Sequence, residues 1–192
     1  MNIANRITLF RIVTAFIFMF LIFVNGLWAK IASFIIFILA ALSDFYDGFL
    51  ARKNNMVTDF GKLMDPIADK ILVVAALVAF VQMQLVQAWM VVIIIFREIL
   101  VTSLRIFALS KGKVLSATRA GKHKTFSQML VIFIILIFIL VKEVMLEFYS
   151  WNPSWENFFK ITIYILMLIT TALTLYSGIS YFWRNRQVIA RI

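Results

Sequence analysis

Four aspartates of the 192-residue chain lie where one hydrophobic run ends and the next begins. Asp44 and Asp47 are near the end of one hydrophobic run, three residues apart, and Asp65 and Asp69 are near the start of the next, four residues apart. On a helix, each spacing places its pair on one face, about one turn apart. If the two helices pack antiparallel, the four carboxylates converge, and such a cluster must take up protons or bind cations.

This pattern predicts a site for two divalent cations. Carboxylate oxygens are hard ligands that favour Mg²⁺, Mn²⁺ or Ca²⁺ over softer metals, and two ions about 3.5 to 4 Å apart suit a phosphoryl displacement. Gly48 lets a ligand come close to the helix beside the acids, and Gly61 does the same from the facing helix. Arg52 is placed to clamp a phosphate. The alternative interpretation is that the aspartates only cap helix ends or lie solvated at the interface.

These residues resemble the signature of the CDP-alcohol phosphotransferases, Asp-x2-Asp-Gly-x2-Ala-Arg-x8-Gly-x3-Asp-x3-Asp, with every spacing met. The matching residues are Asp44, Asp47, Gly48, Ala51, Arg52, Gly61, Asp65 and Asp69. The resemblance implies a six-helix membrane enzyme, commonly a homodimer, that binds two Mg²⁺ or Mn²⁺ ions and the diphosphate of a CDP-linked lipid. It assigns Asp44, Asp47 and Asp65 chiefly to the metals, and makes Asp69 both a metal neighbour and the general base.

A second part of the resemblance lies at the N-terminus. Asn5 and Thr8 are similar to polar positions of a short motif that family members use near the nucleotide, and ordinary N-capping is the alternative interpretation. The predicted binding set for the CDP-lipid is Asn5, Thr8, Gly48, Ala51, Arg52 and Gly61.

Charged residues farther along the chain predict an anion pocket. Glu98 and Arg105 are two helical turns apart on nearly the same stripe, with Arg97 on an adjacent side, and buried charges of this kind should pair or face a wet cavity. The predicted contacts with the acceptor phosphate are Arg105, Arg119, Lys122, Lys124 and Thr125, with Arg97, Glu98 and Gln128 in a structural or acceptor-pocket role. The alternative is a structural ion pair together with the basic loops of ordinary membrane topology.

The same segments are similar to those of bacterial phosphatidylglycerophosphate synthases within the family. This resemblance implies that the phosphatidyl group of CDP-diacylglycerol passes to sn-glycerol 3-phosphate, with Asp69 taking the proton of the attacking 1-hydroxyl and CMP leaving. The same chemistry with inositol phosphate, serine or phosphatidylglycerol as acceptor stays open. A magnesium-dependent membrane prenyltransferase and a cation transporter are the alternatives from other classes.

The composition predicts an all-α integral membrane protein. A chain of this length that is 64% hydrophobic and 15% charged cannot hide its apolar surface in one small soluble core. Runs near the roughly 20 residues needed to cross a bilayer predict six transmembrane helices over residues 9–24, 28–50, 62–81, 88–110, 125–146 and 158–183. We expect one bundle and one domain over residues 1–192, with a short interfacial helix at the N-terminus.

The distribution of the 19 Lys and Arg residues predicts orientation and partners. They concentrate at both termini and in alternate connections, which places the termini and the acidic site on the cytoplasmic side of the cell membrane. The net charge of +10 favours membrane lipids with anionic head groups and phosphorylated substrates as partners. Nucleic acid is not expected, because the basic segments form no known recognition module.

Overall fold

A computed structural model describes the backbone of residues 3–54, 59–113, 115 and 119–189. It describes the side chains of the same residues except 3–8, 44–54, 59–69, 119, 120 and 122. The regular secondary structure of this described part is entirely helical, which confirms the all-α prediction. The helices are α1 (Ile3–Phe23), α2 (Leu27–Asn54), α3 (Asp59–Gln82), α4 (Ala88–Ser110), α5 (Arg119–Phe148) and α6 (Pro153–Ile189).

Most helices extend beyond their predicted bounds, whereas α4 has the bounds expected. The short N-terminal helix is not a separate element, because Ile3–Phe23 form one uninterrupted helix. α5 begins at Arg119 rather than at residue 125, and α6 runs on to Ile189. Hydropathy marks only the apolar part of a helix, while Arg, Lys and Ala are good helix formers that let an established helix continue.

Two helices in the described part are long and apolar enough to cross a membrane, judged by length and composition. They are His123–Phe148 and Pro153–Ile189, and shorter apolar helical stretches cover Leu9–Phe23, Leu27–Ser43 and Lys70–Gln82. Large apolar side chains also point outward on several helices, with Phe20 71%, Phe96 65% and Ile179 67% exposed. A protein surrounded by water rarely exposes so many, whereas lipid accommodates them.

The contacts divide the chain into two units. Unit 1 consists of Met1–Ala79 and Leu136–Asn152, and unit 2 of Phe80–Ile135 and Pro153–Ile192. In unit 1, α1 packs against α2, and the fully buried rings of Phe18 and Phe37 lie 5.4 Å apart between centroids. The single domain expected over residues 1–192 stays a prediction.

The turn between α1 and α2 is held by two charged side chains of unit 1. Gly26 has a φ of 108°, which favours glycine, and its N–H donates to Oε1 of Glu143 at 3.0 Å. Lys30 is only 6% exposed and donates from Nζ to the carbonyl oxygen of Ile22 at 2.6 Å. Glu143 also attracts the Lys30 ammonium electrostatically. One lysine therefore satisfies a carbonyl at the end of α1, and one glutamate satisfies an amide at the start of α2.

We expect Glu143→Ala to destabilise unit 1 by about 0.5 to 1.5 kcal/mol, because it removes the acceptor for the exposed Gly26 amide and a negative charge that attracts the buried Lys30. Thermal unfolding of the purified protein in detergent micelles measures this loss. Glu147→Ala is the matched control, one turn farther along α5 at an exposed position. Equal unfolding temperatures for the two variants would show that Glu143 does not hold the turn.

Unit 2 is organised around the packing of α4 against α6. Its core contains fully buried Met90 and Ile94 from α4, and Ile163 and Met167 from α6. A second cluster lies nearer the end of α4, where Val101 and Ala108 pack with Leu115 and Tyr181. These apolar contacts flank a group of polar side chains that includes several of the predicted acceptor-pocket residues.

Candidate active site

The four predicted metal ligands all lie on helical backbone. Asp44 and Asp47 are in the C-terminal half of α2, and Asp65 and Asp69 are in the N-terminal half of α3. The helical spacing places each pair on one face of its helix. Their side chains lie outside the described residues, so the convergence of the four carboxylates stays a prediction. The backbone satisfies the first requirement of the predicted site, since both pairs are on helices.

The predicted CDP-lipid residues lie on α2 and α3, which also carry the aspartates, and on α1. Asn5 and Thr8 are in the first turns of α1, and Gly61 is in the first turn of α3. Gly48, Ala51 and Arg52 occupy the last turns of α2, beyond the aspartates. Their side chains are outside the described part, and their contacts with a nucleotide remain predictions.

Where side chains are described, no group of three or more His, Asp or Glu residues is arranged to hold a metal ion. The aspartates of α2 and α3, whose side chains lie outside that described part, stay the predicted ligands of two cations. Four carboxylates at one-turn spacing fit hard divalent cations by their chemistry, because they supply only oxygen.

A buried ion-pair network joins α4 to α5 within unit 2. Nη1 of Arg97 donates to Oε1 of Glu98 at 2.8 Å, and Nζ of Lys124 donates to the same oxygen. These side chains are 13%, 12% and 4% exposed for Arg97, Glu98 and Lys124. The sequence predicts that the charged residues of α4 pair or face water. In the structure, Glu98 pairs with two basic side chains, those of Arg97 and Lys124.

The network continues from α4 to α6. Nη2 of Arg97 donates to Oγ of Ser177 at 2.8 Å, so the guanidinium bridges a carboxylate on its own helix and a hydroxyl on another. Nearby helices are also joined by Ser127 and Thr170, whose hydroxyl oxygens are 2.7 Å apart. Gln128, predicted to belong to the pocket, is buried with 4% exposure. Polar side chains thus connect α6 to both α4 and α5.

The remaining predicted acceptor residues differ in their accessibility. Arg105 is exposed on α4, two turns beyond Glu98, and Thr125 is exposed on α5, where its hydroxyl donates to the carbonyl oxygen of Gly121 at 3.0 Å. Arg119 and Lys122 are in the first turns of α5, with side chains outside the described residues. Lys124 is on the same turns but is buried. Arg105 and Thr125 are thus exposed, whereas Lys124 is buried and contacts Glu98.

Ser177 and Gly178 belong to the polar network but were not among the predicted residues. A Cβ atom at Gly178 would lie 3.2 Å from Cγ of Arg97, so the arginine stem packs directly on the backbone of α6. The sequence offers one signal that goes beyond hydrophobicity, a pair of small residues inside a long apolar helix. Such pairs allow close helix packing, but they do not identify the partner.

Comparison with known proteins identifies the family to which this sequence belongs. The sequence model of CDP-alcohol phosphatidyltransferase matches residues 1–176. The chain belongs to this family. The matched stretch of this CDP-alcohol phosphatidyltransferase contains all four aspartates and the Arg97, Glu98 and Lys124 network, and it ends one residue before Ser177.

Individual relatives cover nearly the whole chain. One from Bacillus subtilis (strain 168), named CDP-diacylglycerol--glycerol-3-phosphate 3-phosphatidyltransferase, is 38% identical over an alignment of length 182 that covers 83% of this chain and 94% of its own length. A relative of the same name from Wigglesworthia glossinidia brevipalpis is 37% identical over an alignment of length 194, which covers 96% of this chain and 97% of the relative. Another from Rickettsia typhi is 35% identical over 182 residues, covering 94% and 95%.

Proposed function

We propose that this CDP-alcohol phosphatidyltransferase transfers the phosphatidyl group of CDP-diacylglycerol to sn-glycerol 3-phosphate. The products are phosphatidylglycerophosphate and CMP, and the reaction serves the synthesis of anionic phospholipids. The observation that carries the proposal is the similarity over almost the full length to relatives named for this donor and this acceptor. The complete spacing of the aspartate signature on helical backbone supports the same chemistry.

Two Mg²⁺ or Mn²⁺ ions would be held by Asp44, Asp47, Asp65 and Asp69. The short sequence between α2 and α3, residues 55–58, favours an antiparallel hairpin in which the two acidic faces meet. When bound, the ions supply positive charge that stabilises the diphosphate and the oxygens of an in-line displacement.

The transfer itself needs a base and a positioned acceptor. Asp69 accepts the proton of the acceptor's 1-hydroxyl as that oxygen forms a bond to the lipid-bearing phosphorus. The bond from this phosphorus to the oxygen of the CMP phosphate breaks, and its electron pair leaves with CMP. Arg52, at the end of α2, is placed to bind a phosphate of the donor, and Asn5 and Thr8 to contact the nucleotide.

The acceptor phosphate is bound by the basic side chains of unit 2. Arg105 and Thr125 are exposed, and Arg119 and Lys122 belong to the same turns of α5 as Thr125. A guanidinium suits this role because it binds phosphate through two parallel hydrogen bonds. Lys124 contributes positive charge to the site while its ammonium is held by Glu98.

The chain is proposed to span the cell membrane six times and to form a homodimer. The outward-facing apolar side chains of α1, α4 and α6 support contact with lipid, and the basic connections support cytoplasmic termini. An active site at the cytoplasmic interface suits a donor with acyl tails in lipid and a charged nucleotide in water.

The direct test is transfer by the purified protein. With CDP-diacylglycerol, labelled sn-glycerol 3-phosphate and Mg²⁺ in mixed micelles, we expect one labelled phosphatidylglycerophosphate and one CMP per turnover. Chelation with EDTA should stop the reaction and Mg²⁺ or Mn²⁺ should restore it, because the four carboxylates repel one another without cations. CMP release with inositol phosphate, serine or phosphatidylglycerol but not with glycerol 3-phosphate would overturn the acceptor assignment.

A further inference from the structure

Ser177 and Gly178 on α6 form the far end of the buried network in unit 2. The Ser177 side chain is inaccessible to solvent and accepts a hydrogen bond from Nη2 of Arg97 at 2.8 Å. Gly178 provides the surface on which Cγ of Arg97 rests, since a Cβ atom there would approach it to 3.2 Å. These two residues therefore hold the head group and the stem of the same arginine.

Arg97 is connected to α5 through Glu98 and Lys124. Its Nη1 donates to Oε1 of Glu98, and this oxygen also accepts from Nζ of Lys124. Lys124 lies in the first turns of α5, the helix that begins at Arg119. Charge-assisted hydrogen bonds in a medium of low dielectric are strong and directional, so a displacement of Arg97 moves Glu98 and, with it, Lys124.

The first turns of α5 carry residues proposed to bind the acceptor phosphate. We propose that Ser177 and Gly178 are positioning residues for acceptor recognition, which fix Arg97 and, through Glu98 and Lys124, the first turns of α5 relative to α4 and its exposed Arg105. The inference rests on the proposed function, and it adds to the site two residues that lie beyond the stretch matched by the family model.

The position of the Arg97 guanidinium depends on the Ser177 hydroxyl, because the guanidinium has few other acceptors among the described residues. Nε of Arg97 is buried and has no hydrogen-bond partner within the described part of the chain. Loss of the Ser177 hydroxyl would leave a second N–H group of the same guanidinium unsatisfied. The side chain then gains by turning towards other acceptors, which displaces the carboxylate of Glu98.

Steady-state kinetics of Ser177→Ala test the proposal. We expect the KM for sn-glycerol 3-phosphate to rise about five- to tenfold, less than the full effect of one lost hydrogen bond to a charged group, because the contact acts on the site through Glu98 and Lys124. The KM for CDP-diacylglycerol and kcat should stay within about twofold of wild type, since the proposed donor residues lie on α1, α2 and α3. Gly178→Ala should raise the acceptor KM in the same selective way, because its methyl group displaces the arginine stem.

Thr174→Val provides the matched control. Thr174 is as buried as Ser177 and lies one turn earlier on α6, but its hydroxyl donates to the carbonyl oxygen of Thr170 in its own helix at 2.7 Å. This variant removes a buried hydroxyl whose hydrogen bond is to Thr170 and not to Arg97, and we expect an unchanged acceptor KM. In an Arg97→Lys background, Ser177→Ala should add less than about twofold to that KM, because the two residues act through the same contact.

Two kinds of result would overturn the inference. One is a Ser177→Ala enzyme whose two KM values change together, or whose only change is a lower unfolding temperature like that of Thr174→Val, which indicates a packing role alone. The other is full additivity with Arg97→Lys. A wild-type enzyme that does not use sn-glycerol 3-phosphate would refute the proposed function and this inference together, whereas an active wild type with an unselective Ser177→Ala refutes the inference alone.

Discussion

Asp69→Asn is expected to lower the transfer rate by about 10²- to 10⁴-fold at saturating substrates, because an amide cannot accept the proton of the attacking hydroxyl. The substitution changes few atoms and removes one negative charge. If the main role of Asp69 is that of base, kcat falls while the Mg²⁺ concentration needed for half-maximal rate changes little. Single-turnover transfer with CDP-diacylglycerol, measured over a Mg²⁺ titration, separates these two quantities.

Two further variants serve as comparisons for Asp69→Asn. Asp44→Asn should instead shift the Mg²⁺ requirement upward, because Asp44 is proposed chiefly as a metal ligand. Asp59→Asn is the control, since Asp59 begins α3 in the same acidic region but is outside the signature, and its rate should stay near wild type. An Asp69→Asn enzyme with a wild-type rate and a wild-type metal requirement would exclude Asp69 as the base.

Glu98→Leu is expected to cost about 3 to 5 kcal/mol of stability, the largest structural effect that we predict. It leaves the guanidinium of Arg97 and the ammonium of Lys124 buried without the carboxylate that they share. For a chain of this size the corresponding fall in Tm is on the order of 10 °C. Thermal unfolding in detergent micelles, followed by circular dichroism, measures it.

The exposed ion pair between Lys160 and Glu156 gives a matched control. Nζ of Lys160 and Oε1 of Glu156 are 2.9 Å apart, one turn apart on α6, but the Lys160 side chain is 48% exposed. Glu156→Leu should therefore cost no more than about 1 kcal/mol. Adding Lys124→Met to Glu98→Leu should recover part of the loss, because one buried charge disappears with its partner. Equal losses for Glu98→Leu and Glu156→Leu would contradict a buried role for the network.

The helices were predictable because their driving force is local. α4 has the predicted bounds, since its apolar run ends where Ser110 and Lys111 begin a polar connection. The start of α5 was not predicted, because residues 119–124 are basic, histidine or small, and a hydropathy window cannot distinguish such a helical turn from a loop. The same limit applies to the polar end of α6 and to the first turns of α1.

The predicted site divides in a similar way. The aspartate signature depends on spacing along two helices, and spacing can be read directly from the sequence. The pairing of Glu98 with Lys124 joins residues 26 positions apart, and the contact of Arg97 with Ser177 joins residues 80 apart. Sequence reasoning expected Glu98 to have a partner, but Arg105 at two-turn spacing was as plausible a choice as Lys124.

By itself, the sequence determined the all-helical fold class and the family, and it predicted the residues suited to metals and phosphates, because composition, helical period and motif spacing are properties of short stretches. Only the tertiary structure decided that Lys124 is buried against Glu98 and that Ser177 and Gly178 of α6 hold Arg97. Contacts between distant helices depend on how the helices pack, and a small residue in an apolar run gives no indication of which side chain will rest on it.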